Sequence, residues 1–86
     1  MPHYFMPHYV YILRSLKDKK HYIGETTDVA ARVLFHNSGK QRSTQQRIPF
    51  ILILVEEYTS RQEALEREKQ IKSWKGGTAF KKLIGT

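Results

Sequence analysis

Cysteine is missing from all 86 residues, which excludes disulfides and thiolate metal sites and leaves nothing to suggest an oxidising compartment. Long apolar runs are missing too. The longest, Phe50 to Val55, falls far short of the roughly 20 residues that cross a bilayer, and the N-terminus lacks the basic-then-apolar layout of a secretory signal. A cytoplasmic protein with no membrane role is the expectation. Acid is scarce, with 8 Asp and Glu against 15 Lys and Arg, for a formal net charge of +7. Lys and Arg displace the counterions condensed on a phosphate backbone, so this imbalance favours a polyanion partner. A solvated basic surface that only maintains solubility would have the same composition. The length allows one domain with a modest core.

The chain begins with Met-Pro-His-Tyr twice over, at Met1 and at Met6. No physical account of this duplication is at hand, and residues 1–7 are expected to form a flexible tail ahead of a single domain over 8–86. Tyr9 to Arg14 is β-branched and aromatic and apolar on both alternating faces, which suits a strand covered on both sides. Charged Ser15 to Lys20 then leads to His21-Tyr22-Ile23-Gly24, a short return strand that completes a hairpin. Thr27 is the expected N-cap of a first helix, with Asp28 at the positive end of its dipole and Gly39 as its stop. Val29, Ala30, Val33 and Leu34 form its apolar stripe, and Arg32 and His36 share its flank.

Lys40 to Arg47 has no periodicity and reads as an exposed loop. Phe50 to Val55, after Pro49 and before Glu56-Glu57, reads as a buried third strand continuing to Tyr58. Ser60-Arg61-Gln62-Glu63 has capping-box spacing, which starts a second helix that should run to about Trp74. Gly76-Gly77 ends it, and Thr78 to Ile84 suits a short last helix. The expected fold class is α+β, a three-stranded mainly antiparallel sheet flanked by three helices.

Glu68 is the most informative residue. On a helical wheel Ala64, Leu65 and Ile71 share one face, and Glu68 falls in its middle. A carboxylate aimed at the sheet needs a cation, a metal or a hydrogen-bond network. A partial turn of the helix would instead pair it with Lys72 at the i,i+4 spacing. Tyr11 and Tyr22 sit on the two hairpin strands, each with a hydroxyl that needs a partner if its ring is buried, although strand tyrosines commonly serve packing alone. Arg32 suits a phosphate clamp or a solvated surface. The four histidines have no metal-ligand spacing, which argues against zinc, and Lys75-Gly76-Gly77-Thr78 lacks the spacing of a phosphate-binding loop. Trp74 and Phe35 are candidate exposed aromatics. Oligomeric state is not set by any of these features.

Tyr9-Val10-Tyr11, followed eleven residues after Tyr11 by Tyr22-Ile23-Gly24, resembles the paired tripeptides of the GIY-YIG nuclease superfamily. Thr27 to Arg32 with His36-Asn37-Ser38-Gly39 resembles the family's first helix, which carries an essential arginine. Ala64 to Trp74 resembles its second helix, which carries a metal-binding glutamate. These four segments, in the family's order, cover nearly the whole chain after Pro7, and the short length resembles the stand-alone, single-domain branch.

The resemblance implies a metal-dependent endonuclease or phosphodiesterase acting on DNA, on branched, damaged or single-stranded forms, as in DNA repair, with RNA as a second candidate. It implies that Glu68 holds Mg2+ (or Mn2+) at the scissile phosphate. Tyr22 would activate or position the attacking water, as a base only if nearby cations bring its phenol below the usual value of about 10. Tyr11 and Arg32 would orient the phosphate and stabilise transition-state charge. His36 would be a supporting or proton-transfer group, and Gly24 a position of close backbone approach. Glu25 stands where several members have lysine, and such a carboxylate must turn away from a bound phosphate. A different reading keeps the fold as a non-catalytic nucleic-acid-binding module using Lys40, Arg42, Arg47 and Lys75 with Lys81 and Lys82. In a third, a protein-interaction domain, Glu68 pairs with Arg32 or Lys72.

Overall fold

A computed structural model of the protein describes residues 6–85. Residues 1–5 of the expected tail lie outside the described residues. Three strands, β1 (His8–Ser15), β2 (His21–Thr26) and β3 (Phe50–Tyr58), form one sheet in the order β2-β1-β3. Both pairings are antiparallel, and three helices, α1 (Val29–Asn37), α2 (Arg61–Trp74) and α3 (Thr78–Ile84), complete the α+β fold. Among the described residues no helix is long and apolar enough to cross a membrane.

Central β1 is covered on both faces, as its sequence predicts, because alternate side chains enter different cores. Val10 and Ile12 join Ile23, Ala64, Ile71 and Phe80 on the side of α2 and α3. Tyr11 and Leu13 join Phe50, with Val29 and Val33 of α1 packed against them, on the other side. The predicted strand β3 forms, but it is only partly buried: Phe50 is in one core, and Ile53 and Leu54 pack against the other. It is an edge strand, and Ile51, Leu52 and Val55 are exposed. An unbroken apolar run carries no signal of which faces its neighbours will cover. The edge is partly closed by Asn37, whose Nδ2 donates to the Phe50 carbonyl at 3.0 Å and whose Oδ1 accepts from the Phe50 N–H at 2.6 Å. A side chain thus substitutes for a strand partner.

The same two bonds help to fix the rotation of α1. His36, Val33 and Val29 point inward, whereas Leu34 is 72% exposed and Ala30 faces solvent. The apolar stripe expected from the sequence is therefore corrected: the inward face is shifted from Ala30 and Leu34 toward His36. Asp28, not Thr27, is the N-cap, accepting from the Ala31 N–H at 3.0 Å.

On α2 the Ser60 half of the expected capping box forms, with the Glu63 N–H donating to Ser60 Oγ at 3.1 Å, while Glu63 Oε1 accepts from the Ser60 hydroxyl at 3.0 Å and the Thr59 hydroxyl at 2.8 Å instead of closing on the Ser60 N–H. Ala64 and Ile71 are fully buried, but Leu65 is exposed. The helix is turned toward its other flank because Arg67 forks onto Glu56 of β3, at 2.8 and 3.1 Å, and lies over the Trp74 ring. Trp74 and Phe35 are half-buried, each under a guanidinium, rather than fully exposed.

Candidate active site

Tyr11 lies opposite Gly24 across the β1–β2 pairing. Its ring crosses directly over that glycine: a Cβ there would stand 2.6 Å from the Tyr11 hydroxyl and 2.7 Å from Cζ. Gly24 thus permits a close approach, as the sequence suggested, but the group that approaches is the phenol of the neighbouring strand. The Tyr11 hydroxyl meets His36 Nε2 at 3.0 Å, and Tyr22 packs its ring 4.5 Å from the His36 ring and 6.2 Å from that of Tyr11. Two strands and one helix thus bring three of the expected site residues together.

His36 does not share an exposed flank of α1 with Arg32, as the spacing suggested; Arg32 is exposed, whereas His36 is 1% exposed and points into the core. An imidazole is tolerated there because both nitrogens are bonded. Nδ1 meets Thr44 Oγ1 at 3.2 Å, and Thr44 Oγ1 donates to the Gln41 carbonyl at 3.3 Å. With its proton committed to Gln41, Thr44 accepts from Nδ1–H, and Nε2 is left as the acceptor for the Tyr11 O–H. Burial, and then the Arg32 charge, lower the His36 pKa, so the ring is held neutral. Thr44, within the segment expected to be an exposed loop, is instead 1% exposed. No periodic pattern marks it, because its burial depends on the loop folding back onto His36 of α1.

Thr44→Val keeps the volume but strands Nδ1–H. The expected result is a switch of His36 toward the Nε2–H tautomer, read from its imidazole nitrogen shifts by NMR, with a loss of about 1–3 kcal/mol for the unsatisfied buried group. Unchanged nitrogen shifts would show that Thr44 does not set the tautomer.

Two charged side chains act on the same phenol. Burial first, then Tyr22 and also Glu68, push the Tyr11 pKa far up, and the Arg32 charge opposes them. Tyr11 therefore remains a phenol at neutral pH. Arg32 is exposed on α1, its guanidinium 5.1 Å from the centre of the Phe35 ring. The Glu68 side chain is 16% exposed on the flank of α2, and Lys72 Nζ donates to Oε2 at 2.5 Å. The surface pairing weighed from the sequence is thus present together with partial burial.

Glu25 is turned into its own pairings, at 2.9 Å from His8 Nδ1 and 3.8 Å from Arg61. It lines a cleft of about 500 Å³ with Thr27, Asp28, Arg32 and Phe35. This cleft lies beside the tyrosine cluster and shares Arg32 with it.

Among the described residues no group of three or more His, Cys, Asp and Glu could hold a metal. One carboxylate is nevertheless a suitable donor set for Mg2+, which keeps several waters and takes its other ligands from a substrate phosphate. Glu68 has that chemistry. Of the basic residues singled out, Lys40 and Arg42 are exposed between α1 and β3. Arg47 is engaged within the fold, by Asp18 at 2.8 Å and over the Phe50 ring, and Lys75 donates to the His21 carbonyl at 2.6 Å.

A family model described as the GIY-YIG catalytic domain matches residues 7–82. A UPF0213 protein of Staphylococcus haemolyticus is 44% identical over 68 residues, covering 78% of this chain and 82% of that one. Another, from Haloquadratum walsbyi, is 44% identical over 78% of this chain and 75% of its own. The solution NMR structure of a UPF0213 protein from Bacillus halodurans matches with a TM-score of 0.59 and 38% identity, covering 93% of this chain and 84% of that one. This chain therefore belongs to the GIY-YIG family, a branch of a nuclease superfamily.

Proposed function

We propose that the protein is a divalent-metal-dependent endonuclease or phosphodiesterase acting on DNA, with RNA as the alternative polymer. The observation that carries this reading is the convergence on one buried phenol of β1 of a neutral imidazole and a guanidinium from α1 and a carboxylate from α2. Perturbed ionisable groups clustered beside an exposed arginine are the pattern of an active site.

Each side chain has a task its environment supports. Arg32, exposed and free to reorient, would hold a non-bridging phosphate oxygen and offset the charge that builds in the transition state. Tyr11 keeps its proton, donates it toward His36 Nε2 and presents its oxygen lone pairs to the site. A water that gives a proton to Tyr11 Oη as the phenol passes its own to His36 Nε2 becomes the nucleophile; His36 then carries the positive charge, with Nδ1–H still on Thr44. Tyr22, packed on His36, would orient that water. Glu68 would hold Mg2+ or Mn2+ after releasing Lys72, and the ion, when bound, would polarise the scissile phosphate. The imidazole, held at both nitrogens, is already in place for this transfer.

The test is incubation of labelled linear, branched and single-stranded DNA with the protein in magnesium, in manganese and in chelator. Metal-dependent cutting is expected. Arg32→Ala should reduce it by about 100- to 1,000-fold with an unchanged fold, since Arg32 contacts the exterior of α1. If no DNA form is cut with any divalent ion, the nuclease reading fails.

The Lys72–Glu68 contact favours a second reading, a binding module without turnover, because it already satisfies the carboxylate. In that case salt-sensitive binding through Lys40 and Arg42 would survive both Arg32→Ala and Glu68→Ala.

A further inference from the structure

At the hairpin end of the sheet, cations gather around His21. Arg14 is its cross-strand partner. Lys75 Nζ donates to the His21 carbonyl at 2.6 Å, and Arg47 reaches the same oxygen at 3.4 Å. Arg14, Lys19 and His21 line a cavity of about 250 Å³ with Ile53 and Ile84. The nearby carboxylate, Asp18, is engaged by Arg47 at 2.8 Å.

This cluster connects to the active site through α2. Lys72 holds Glu68, and Lys75, the C-cap of the helix, holds the hairpin. Lys75 lies seven residues beyond Glu68, a span of about 10 Å along the helix, or roughly three base-pair steps of a duplex at 3.4 Å each. Like charges so arranged repel one another: burial, and then the neighbouring cations, hold both His21 and Lys75 below their ordinary values. An external anion would relieve that repulsion.

We propose that the cations around His21 form a second phosphate-binding surface, which holds the nucleic-acid strand leading away from the Glu68 side of the active site. This rests on the reading of the chain as a nucleic-acid-processing protein. The surface differs from the Lys40–Arg42 loop in both place and purpose. It would set how much strand is gripped beyond the scissile phosphate, through backbone contacts that carry no sequence information.

The His21 ring is the reporter. Its pH titration is followed by NMR in the wild type, alone and with a short oligothymidylate or a short DNA duplex, in chelator so that no strand is cut. His21 should titrate at a higher pH with DNA bound, and the shift should fade at high salt. In parallel, Arg14→Gln with Lys19→Asn should flatten the dependence of log Kd on log salt by about 1.5, two charges having been removed.

DNA binding that leaves His21 unmoved and the slope unchanged would overturn this surface while leaving the nucleic-acid reading standing. No DNA binding at all would overturn both. An equal His21 response to polyglutamate at matched charge would overturn the assignment to nucleic acid. The wild-type titration decides the question even if the double variant does not fold.

Discussion

Glu68→Ala should abolish metal-dependent cleavage, by at least about 1,000-fold, while the protein stays folded. The catalytic figure follows from losing a bound cation at the scissile phosphate, worth several kcal/mol of transition-state charge stabilisation. The small structural cost follows from the surroundings of the residue. Its one direct partner among the described residues is Lys72, whose side chain is 52% exposed and regains water when released. Such i,i+4 pairs contribute about 0.3–0.5 kcal/mol, so Tm should move by less than about 4 °C.

A ligand that binds only the folded protein raises its Tm. Manganese should therefore stabilise the wild type and leave Glu68→Ala unaffected. Thermal melts with and without the ion check the metal site independently of any substrate. Retained cleavage, or an equal stabilisation of the variant, would place the metal elsewhere.

Gly24→Ala should damage both stability and activity, although the alanine differs by one methyl group. The new Cβ would lie 2.6, 2.7 and 2.9 Å from three Tyr11 atoms. Tyr11 is 1% exposed and tied to His36, so its ring has no free space to retreat into. Either β2 separates from β1 or the phenol leaves His36. Overpacking of this kind costs about 1–3 kcal/mol, a fall in Tm of roughly 5–20 °C for a chain of this size. A displacement of about 1 Å at a reacting group can lower the rate by 100-fold.

A double-mutant cycle with Tyr11→Ala isolates the clash. Removing the ring should make the added methyl much less costly, giving strongly non-additive losses. Additive losses would mean that Tyr11 does not lie over Gly24. The measurements are chemical or thermal unfolding of the single and double variants, with cleavage assays of the singles.

Local patterns were enough for β1, β2, the N-cap at Ser60 and the stop after Trp74, because each depends on residues close together in sequence. The rotation of the helices was not legible in the same way. In α1, ranking Leu34 above His36 follows hydrophobicity, but it omits the hydroxyls of Tyr11 and Thr44 and the grip of Asn37 on Phe50. In α2, the wheel that included Leu65 could not register the attraction of Arg67 to Glu56. The burial of β3 was misjudged because an apolar run is silent about its place in strand order.

The sequence by itself determined the elements, the antiparallel hairpin and the candidate residues Tyr11, Tyr22, Arg32, His36 and Glu68, since periodicity, turn chemistry and the ordered family segments are properties of the chain. The tertiary structure alone decided that Tyr11 crosses Gly24, that Thr44 meets the buried His36 ring, that Lys72 holds Glu68 and that cations crowd around His21. With the exception of the Lys72–Glu68 pair, which one helix turn already permits, these depend on groups from separate elements meeting within a few ångströms, and such meetings exist only once the sheet and helices have packed.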